Sequence, residues 1–281
     1  MKLLRYGPIG EERAGLLDAD GAIRALPEAL GDLGGARLTP AGLAEIAALD
    51  PAALPVVPGN PRIGACIARP GKFVCIGLNY SDHAAETGAQ PPAEPIVFGK
   101  WTSAVVGPDD DVIIPRGSEK TDWEVELGVV IGSAARHVDA ADALAHVVGY
   151  CVVHDVSERA FQLERGGMWD KGKGCDSFGP IGPWLVTTDD IPDPQALRLW
   201  LEVDGHRYQD GTTANMIFTV AELVAYVSGF CTLEPGDIIA TGTPAGVGLG
   251  QKPPVFLRPG QTVRLGIDGL GAQTQRTVAA A

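Results

Sequence analysis

The strand that decides this fold reads, from residue 122 to residue 132, Asp122-Trp123-Glu124-Val125-Glu126-Leu127-Gly128-Val129-Val130-Ile131-Gly132. Its β-branched and apolar residues predict a β-strand, on which side chains alternate between two faces. Asp122, Glu124 and Glu126 therefore share one face. Like charges resist burial together, and a hard cation such as Mg²⁺, which prefers carboxylate ligands, would relieve the repulsion. A solvated face of an antiparallel sheet is the alternative interpretation.

The composition indicates an ordinary globular protein with a substantial core. Apolar residues make up 45% of the 281 residues, and 37 glycines with 22 prolines favour a turn-rich, β-rich fold. The net charge of −13 argues against a nucleic-acid partner. The sequence shows neither a signal peptide nor an apolar run long enough to cross a membrane, and its five cysteines are scattered. We therefore expect a cytoplasmic protein without a membrane partner.

Residues 1–60 are predicted to form a small N-terminal module, and residues 61–281 the catalytic domain. The module would contain a strand at its start, a hairpin around Asp18-Ala19-Asp20-Gly21, and a helix capped by Thr39 with Pro40 in its first turn. The proline-rich run from residue 51 to residue 61 is typical of a linker. The module offers no clustered chemistry, so a packing or dimerisation role is its simplest interpretation.

His83 and Glu86 follow a predicted strand at residues 72–80 and lie three residues apart in a predicted helical turn. Residues at this spacing share one helix face, so the pair could act as a general base and the carboxylate that orients it. An exposed His–Glu pair is also common on helices without any function. The polar, proline-rich segment that follows, up to Pro95, is predicted to be a mobile loop.

Three further segments carry chemistry. Residues 147–154 form an apolar strand that would be buried on both faces, and Asp155 follows it either as a site residue or as a helix cap. Residues 166–180 are glycine-rich and are predicted to be irregular, with Lys171 and Lys173 either binding an anion or facing solvent. Residues 241–248 present backbone N–H groups and hydroxyls that suit a carboxylate or an oxyanion.

Taken in order, these motifs resemble the fumarylacetoacetate hydrolase family from about Lys72 to the C-terminus. The resemblance rests on Gly77 through Glu86, Glu124 with Glu126, His154-Asp155, the segment from Lys173 to Asp176, and residues 241–248. The N-terminal module looks like that of bacterial 2,4-diketo-3-deoxy-L-rhamnonate and L-fuconate hydrolases, some of which are called ureidoglycolate lyases.

The resemblance implies an α+β fold, a mixed β-sandwich roll around a metal site, and a homodimer. It implies that Glu124, Glu126 and Asp155 bind Mg²⁺ or Mn²⁺, and that His83, Glu86 and Lys173 are catalytic. It also implies substrate contacts from four residues. These are Lys100, Gln162, Gly242 and Thr243. Asp122 would then lie behind the metal ligands or in a surface turn.

The implied activity is metal-dependent hydrolysis of a C–C bond in a 2,4-diketo acid, an acylpyruvate type of substrate, with a 2,4-diketo-3-deoxy sugar acid as the favoured example. The His83–Glu86 pair would activate water against the C4 carbonyl, and pyruvate and a carboxylic acid would be released. Decarboxylation of oxaloacetate or isomerisation of a 2-oxo acid on the same site is the first alternative. A metal-binding or ligand-binding module without turnover is the second.

Overall fold

The computed structural model describes all 281 residues as three β-sheets with a few short helices. The strands are β1 Lys2–Tyr6, β2 Arg13–Leu17, β3 Ile23–Ala25, β4 Ile63–Gly64, β5 Phe73–Gly77, β6 Ile96–Gly99, β7 Val105–Val106, β8 Val112–Ile114, β9 Thr121–Asp122, β10 Val125–Ile131, β11 Val147–His154, β12 Ser157–Glu158, β13 Gly179–Thr187, β14 Arg198–Val203, β15 His206–Thr212, β16 Ile238–Ala240, β17 Thr262–Ile267 and β18 Gly271–Ala279.

The α-helices are α1 Pro40–Ala47, α2 Ser81–Thr87, α3 Arg159–Leu163, α4 Asp170–Lys173 and α5 Val220–Ser228. Single turns of 3₁₀-helix lie at Glu28–Leu30, Gly35–Leu38, Pro51–Ala53, Thr102–Ala104, Ala143–His146, Thr188–Asp190, Thr213–Asn215 and Gly248–Gly250. No helix combines the length and the apolar character needed to cross a membrane. The sheet-rich architecture with few helices agrees with the predicted α+β fold.

The largest sheet has eleven strands and carries the candidate site. Its main path is β3-β2-β1-β13-β11-β10-β16-β5-β6, with β4 paired to β1 and β7 paired to β13. A five-stranded sheet, β15-β14-β17-β18-β8, packs against it, and β9 pairs with β12 as a separate ribbon. β10 and β11 are interior strands of the large sheet, whereas β6 lies at its edge.

β10 alternates between two apolar cores, as its sequence predicts. Val125, Leu127, Val129 and Ile131 contribute to the larger core, which also contains residues of α5 and of the five-stranded sheet. Val130 contributes to the second core, with residues of the N-terminal segment. The predicted continuous strand is interrupted, however, because Trp123 and Glu124 separate β9 from β10. Glu126 lies on β10 itself, and Glu124 immediately precedes it.

The first sixty residues share the large sheet with the rest of the chain. β1 pairs with β13, with Lys2 opposite Val186, and its hairpin partner β2 extends the sheet outward. The predicted hairpin and the helix capped by Thr39 are both present, since the Thr39 hydroxyl accepts a hydrogen bond from the Gly42 N–H at 3.1 Å. The predicted boundary between the two domains at residue 60 therefore falls within one sheet. It remains a prediction that the two segments fold as separate units.

The segment at residues 166–180 departs from the prediction of irregular structure. α4 forms one helical turn at Asp170–Lys173, and β13 begins at Gly179. A helix of four residues is too short to show an apolar repeat, so the sequence pattern could not predict α4. Its last residue, Lys173, is anchored instead by distant carboxylates. By contrast, β11 occupies the predicted residues 147–154.

Candidate active site

Three carboxylates meet where β10 and β11 come together. One oxygen from each of Glu124, Glu126 and Asp155 lies within 4.8 Å of the others, and all three residues are buried. The antiparallel ladder brings them together: Val125 pairs with His154, and the Asp155 N–H donates to the Glu124 carbonyl oxygen at 3.0 Å. The two separate sequence segments that supply these residues therefore converge on one cluster.

Buried cations compensate most of this negative charge. Lys173 Nζ lies 2.6 Å from Glu124 Oε2 and 2.9 Å from Asp155 Oδ2. Arg159 donates to Glu124 Oε1 at 2.6 Å. Burial alone would raise the pKa of Glu124, but the charges of Lys173 and Arg159 outweigh it and lower that pKa to about 2. Glu124 is therefore ionised at neutral pH.

Glu126 has no cation of its own. Its Oε2 accepts a hydrogen bond from the Gly242 N–H at 2.9 Å. Burial, together with the charges of Asp155 and Glu124, holds its pKa well above the usual range. Three hard oxygen donors with one carboxylate left uncompensated fit a divalent cation such as Mg²⁺ or Mn²⁺. Such an ion would compete with Lys173 for Glu124 and Asp155.

Asp122 is fully buried behind the cluster, which is the first of the two positions expected for it and excludes the surface turn. It accepts hydrogen bonds from the N–H groups of Gly248 at 2.6 Å and Leu249 at 3.0 Å. Its Oδ2 also accepts from Arg159 Nε at 2.8 Å. Asp122 therefore orients the arginine that contacts Glu124. Sequence reasoning overlooked Arg159, although a cation on the turn after Asp155 was an available signal.

Helix α2 carries the predicted base pair. His83 Nδ1 lies 3.2 Å from Glu86 Oε2, while Glu86 Oε1 accepts a hydrogen bond from the Gly246 N–H at 3.0 Å. Asp82, in the same helix, accepts from Asn215 Nδ2 at 3.1 Å. The bond from Gly246 holds α2 against the loop at residues 241–248, and the bond from Asn215 holds it against the 3₁₀ turn Thr213–Asn215. His83 lines the same cavity as Glu124 and Glu126, whereas Glu86 stands behind it.

The residues predicted to bind substrate are only partly brought together. Gln162 and Thr243 line the cavity, but Gly242 does not, because its N–H is directed to Glu126. Lys100 is also outside the cavity wall, which corrects its predicted substrate contact. It is buried behind Asp155, with Nζ 2.6 Å from Oδ1, and it donates to the carbonyl oxygens of Val156 and Lys173. Its charge supports Asp155 from the side away from the cavity.

The cavity itself has a volume of about 280 Å³. Its polar lining residues come from the carboxylate cluster, α2, α3, α4 and the loop after β16. They are His83, Thr87, Glu124, Glu126, Arg159, Gln162, Lys173 and Thr243. The arrangement can hold a cation, present a general base, and stabilise negative charge on a bound acid within one cavity.

The family model for the C-terminal domain of fumarylacetoacetate (FAA) hydrolase matches residues 72–278 of this chain. The chain therefore belongs to the fumarylacetoacetate hydrolase family. The matched region contains both the carboxylate cluster and the His83–Glu86 pair, and it excludes the N-terminal strands. The closer resemblance to sugar acid hydrolases remains a prediction.

Relatives and solved structures of the same fold cover essentially the whole chain. A Burkholderia ambifaria protein is 67% identical over 278 residues, which is 99% of each chain. It is named as a hydrolase without a stated substrate. The 2-hydroxyhepta-2,4-diene-1,7-dioate isomerase of Mycobacterium marinum is 32% identical, with a TM-score of 0.75 over 100% of this chain and 99% of that one. The maleylpyruvate hydrolase of a Sphingobium species, solved with manganese(II) and pyruvate, is 28% identical, with a TM-score of 0.82 and complete coverage of both chains.

Proposed function

We propose that this protein hydrolyses the C3–C4 bond of a 2,4-diketo acid and releases pyruvate and a carboxylic acid, with Mg²⁺ or Mn²⁺ as cofactor. The observation that carries the proposal is the shared cavity. Glu124 and Glu126 line it together with His83, whose ring is oriented by Glu86. The maleylpyruvate hydrolase of similar fold, which holds manganese(II) and pyruvate, supports both the metal and the product.

Glu124, Glu126 and Asp155 would hold the metal, whose positive charge stabilises the developing enolate when it is bound. The remaining steps belong to the chain's own residues. In the tautomer with hydrogen on Nδ1, His83 donates a hydrogen bond to Glu86 Oε2, which leaves Nε2 free to take a proton from water. The water oxygen then bonds to C4 while the carbonyl electron pair moves to the C4 oxygen. Return of that pair breaks the C3–C4 bond, releases the carboxylic acid and leaves the C3–C4 electron pair in the pyruvate enolate. The proton that His83 took from water is returned to C3, which completes pyruvate.

Lys173 and Gln162 would orient the substrate. Burial would lower the pKa of Lys173, but Asp155 and Glu124 raise it, so the ammonium group stays charged and stabilises negative charge rather than acting as a base. Gln162 Oε1 accepts from Arg159 at 3.1 Å, which leaves its amide N–H groups for a substrate oxygen. The Thr243 hydroxyl donates to the Val125 carbonyl oxygen and accepts from Gln209. Because these bonds hold the hydroxyl, Thr243 contributes to the shape of the cavity lining.

The direct test is release of pyruvate from acetylpyruvate, with Mg²⁺ and after removal of metal by a chelator. We expect turnover that depends on metal and is lost in Glu126→Gln, while circular dichroism shows a folded protein. Undiminished turnover in metal-free buffer would contradict the metal assignment. Absence of turnover with any acylpyruvate, in metal-loaded protein, would contradict the hydrolase proposal.

Isomerisation of a 2-oxo acid is the second candidate, because the Mycobacterium marinum isomerase shares the fold over the whole chain. The same enolate could be protonated at another carbon without attack by water. Proton exchange into a 2-oxo acid, followed by NMR in deuterated buffer without C–C cleavage, would favour this activity. Cytoplasmic location is proposed with either activity.

A further inference from the structure

The cavity is divided into a polar part and an apolar part. Its lining on the neighbouring strands β5 and β6 is entirely apolar, and the segments after β5 and around α3 and α4 extend this surface. We call these residues the apolar wall. They are Ile76, Leu78, Ile96, Phe98, Leu163 and Trp169.

The apolar wall begins directly beside the carboxylate cluster. Lys173 Nζ, which binds Glu124 and Asp155, lies 5.1 Å from the centre of the Phe98 ring. Phe98 in turn packs against Trp169 with ring centres 5.3 Å apart. A substrate whose reacting carbons lie at the cluster would therefore place its next carbons against these aromatic rings.

The backbone is shaped to admit these large side chains. A Cβ atom on Gly77 would lie 2.5 Å from Cζ3 of Trp169, so the glycine leaves room for the indole ring. The next residue, Leu78, has a φ of 52°, a left-handed conformation that is costly for a leucine. Strained backbone of this kind persists where the surrounding structure enforces it, and it is concentrated at functional sites.

The apolar wall has no charged side chain that could pair with a second acidic group. The two lining cations of the cavity, Arg159 and Lys173, lie at the carboxylate cluster instead. A carboxylate or several hydroxyls placed on the apolar wall would lose water without gaining partners, which is unfavourable. The wall therefore discriminates against dicarboxylic and polyhydroxylated substrates.

We propose that the apolar wall is the binding site for the acyl group, and that the substrate carries an uncharged alkyl or aryl group on C4. This inference rests on the proposed function and specifies its substrate class. It replaces the sugar acid expected from the sequence with a hydrophobic acylpyruvate. Each methylene group buried on the wall should raise kcat/KM by roughly fourfold until the cavity is filled.

The test compares acetyl-, butanoyl-, hexanoyl- and benzoylpyruvate with maleylpyruvate and a 2,4-diketo-3-deoxy sugar acid, using the Mg²⁺-loaded enzyme. We expect kcat/KM to rise along the alkyl series and to be about 100-fold lower for the two polar substrates than for hexanoylpyruvate. A polar substrate that equals or exceeds hexanoylpyruvate would overturn the inference while leaving the hydrolase function intact.

Binding measurements separate the wall from the reaction. If no substrate is cleaved, the proposed function fails, but the wall is still tested by calorimetry of Mn²⁺-loaded protein with pyruvate, 2-oxobutanoate and 2-oxohexanoate. Affinity that rises roughly fourfold per methylene group would support the wall, and equal affinities would overturn it.

Two matched variants introduce a positive charge, one at a residue of the apolar wall and one at a residue outside the cavity. Leu163 and Met168 are similarly exposed, at 49% and 47%, but only Leu163 lines the cavity. Leu163→Arg should raise the ratio of kcat/KM for maleylpyruvate to that for hexanoylpyruvate by about tenfold or more. Met168→Arg should leave that ratio unchanged. Equal changes of this kcat/KM ratio in the two variants would show that the apolar wall does not bind the acyl group.

Discussion

At the scale of single residues, Lys173 is the group on which the cluster depends. Burying carboxylates close together is unfavourable unless a counter-charge accompanies them, and its ammonium group supplies one between Glu124 and Asp155. A divalent ion bound by the same oxygens would carry twice that charge. Lys173 therefore stabilises the cluster without metal and opposes metal binding electrostatically.

Lys173→Met should bind Mn²⁺ about tenfold more tightly or better than the wild type, because an ammonium group within a few ångströms of the ion is removed. Calorimetry with Mn²⁺ measures this directly. The metal-free variant should unfold at a lower temperature, and metal should restore the loss. Lys171→Met is the control, since Lys171 is exposed and contacts only the Arg165 carbonyl oxygen. Weaker Mn²⁺ binding in Lys173→Met would contradict the competition.

His83→Ala should slow cleavage of acetylpyruvate by a factor of ~100 or more, because it removes the general base. Mn²⁺ affinity should be unchanged, since His83 belongs to α2 and is not one of the three clustered carboxylates. Glu86→Gln has one acceptor oxygen instead of two, so while it accepts from the Gly246 N–H its amide group faces His83 Nδ1 and cannot accept there; kcat should therefore fall, but less severely. An unchanged kcat in His83→Ala would remove the residue from the base role.

At the scale of elements, the site depends on how short helices are fixed to a rigid sheet. α5 packs against the large core through Leu223, Val224 and Val227. Its first turn is closed by a capping box: Thr219 accepts from the Glu222 N–H at 3.3 Å, and Glu222 accepts from the Thr219 N–H at 2.7 Å. None of these residues lines the cavity.

Thr219→Ala should lower the free energy of unfolding by about 1 kcal/mol, the usual effect of losing an N-cap. Urea denaturation measures the change. The kcat for acetylpyruvate should stay at the wild-type value, because the helix contributes structure alone. A lowered kcat with unchanged stability would place α5 in the catalytic machinery instead.

The sequence predicts those elements whose signal is local. The apolar run of β11 and the hairpin around Asp18-Ala19-Asp20-Gly21, between β2 and β3, lie where their patterns indicate. α4 could not be predicted, because its four residues are positioned by contacts with the distant Glu124 and Asp155.

The three clustered carboxylates were predictable because two of them share one short segment and the third follows a recognisable strand. Lys100 was misplaced for the opposite reason. A lysine at the end of a strand shows its charge in the sequence, but whether it faces the cavity or the back of Asp155 depends on the twist of the assembled sheet. The apolar wall was not identified either, because its residues come from separate segments and each looks like an ordinary core residue.

At the scale of the whole molecule, charged side chains join the N-terminal strands to the main body. Arg62 donates to Asp110 Oδ1 at 2.7 Å and to Glu12 Oε1 at 2.9 Å. Burial opposes ionisation of Glu12, but its hydrogen bond with Arg62 and the charge of Arg5 outweigh this and lower its pKa. The ionised form of Glu12 is therefore favoured by folding.

A lowered pKa in the folded state stabilises the protein above the ordinary glutamate pKa, and this contribution is lost as pH falls through the lowered value. The difference in unfolding free energy between wild type and Glu12→Gln should therefore be positive at neutral pH and shrink toward zero as pH falls below 4.5. Denaturation at several pH values measures it. A difference that grows on acidification would contradict the role of Glu12.

The homodimer implied by the family resemblance is a further prediction for the whole molecule. Large apolar side chains such as Trp101 and Phe230 are more than half exposed in the single chain. Light scattering should give about twice the mass of 29.3 kDa. A single-chain mass at all concentrations would contradict the prediction.

The position of the apolar wall in the large sheet has a consequence for how this lineage can change. The carboxylates lie on or directly beside the interior strands β10 and β11, where a substitution disturbs neighbours on both sides, whereas Ile96 and Phe98 lie on the edge strand β6. Substitutions on β6 and near α3 can therefore accumulate without disturbing the ladder that holds the acidic residues. Substrate specificity can therefore evolve through a few substitutions at the edge of the sheet, while the catalytic chemistry is conserved in its interior.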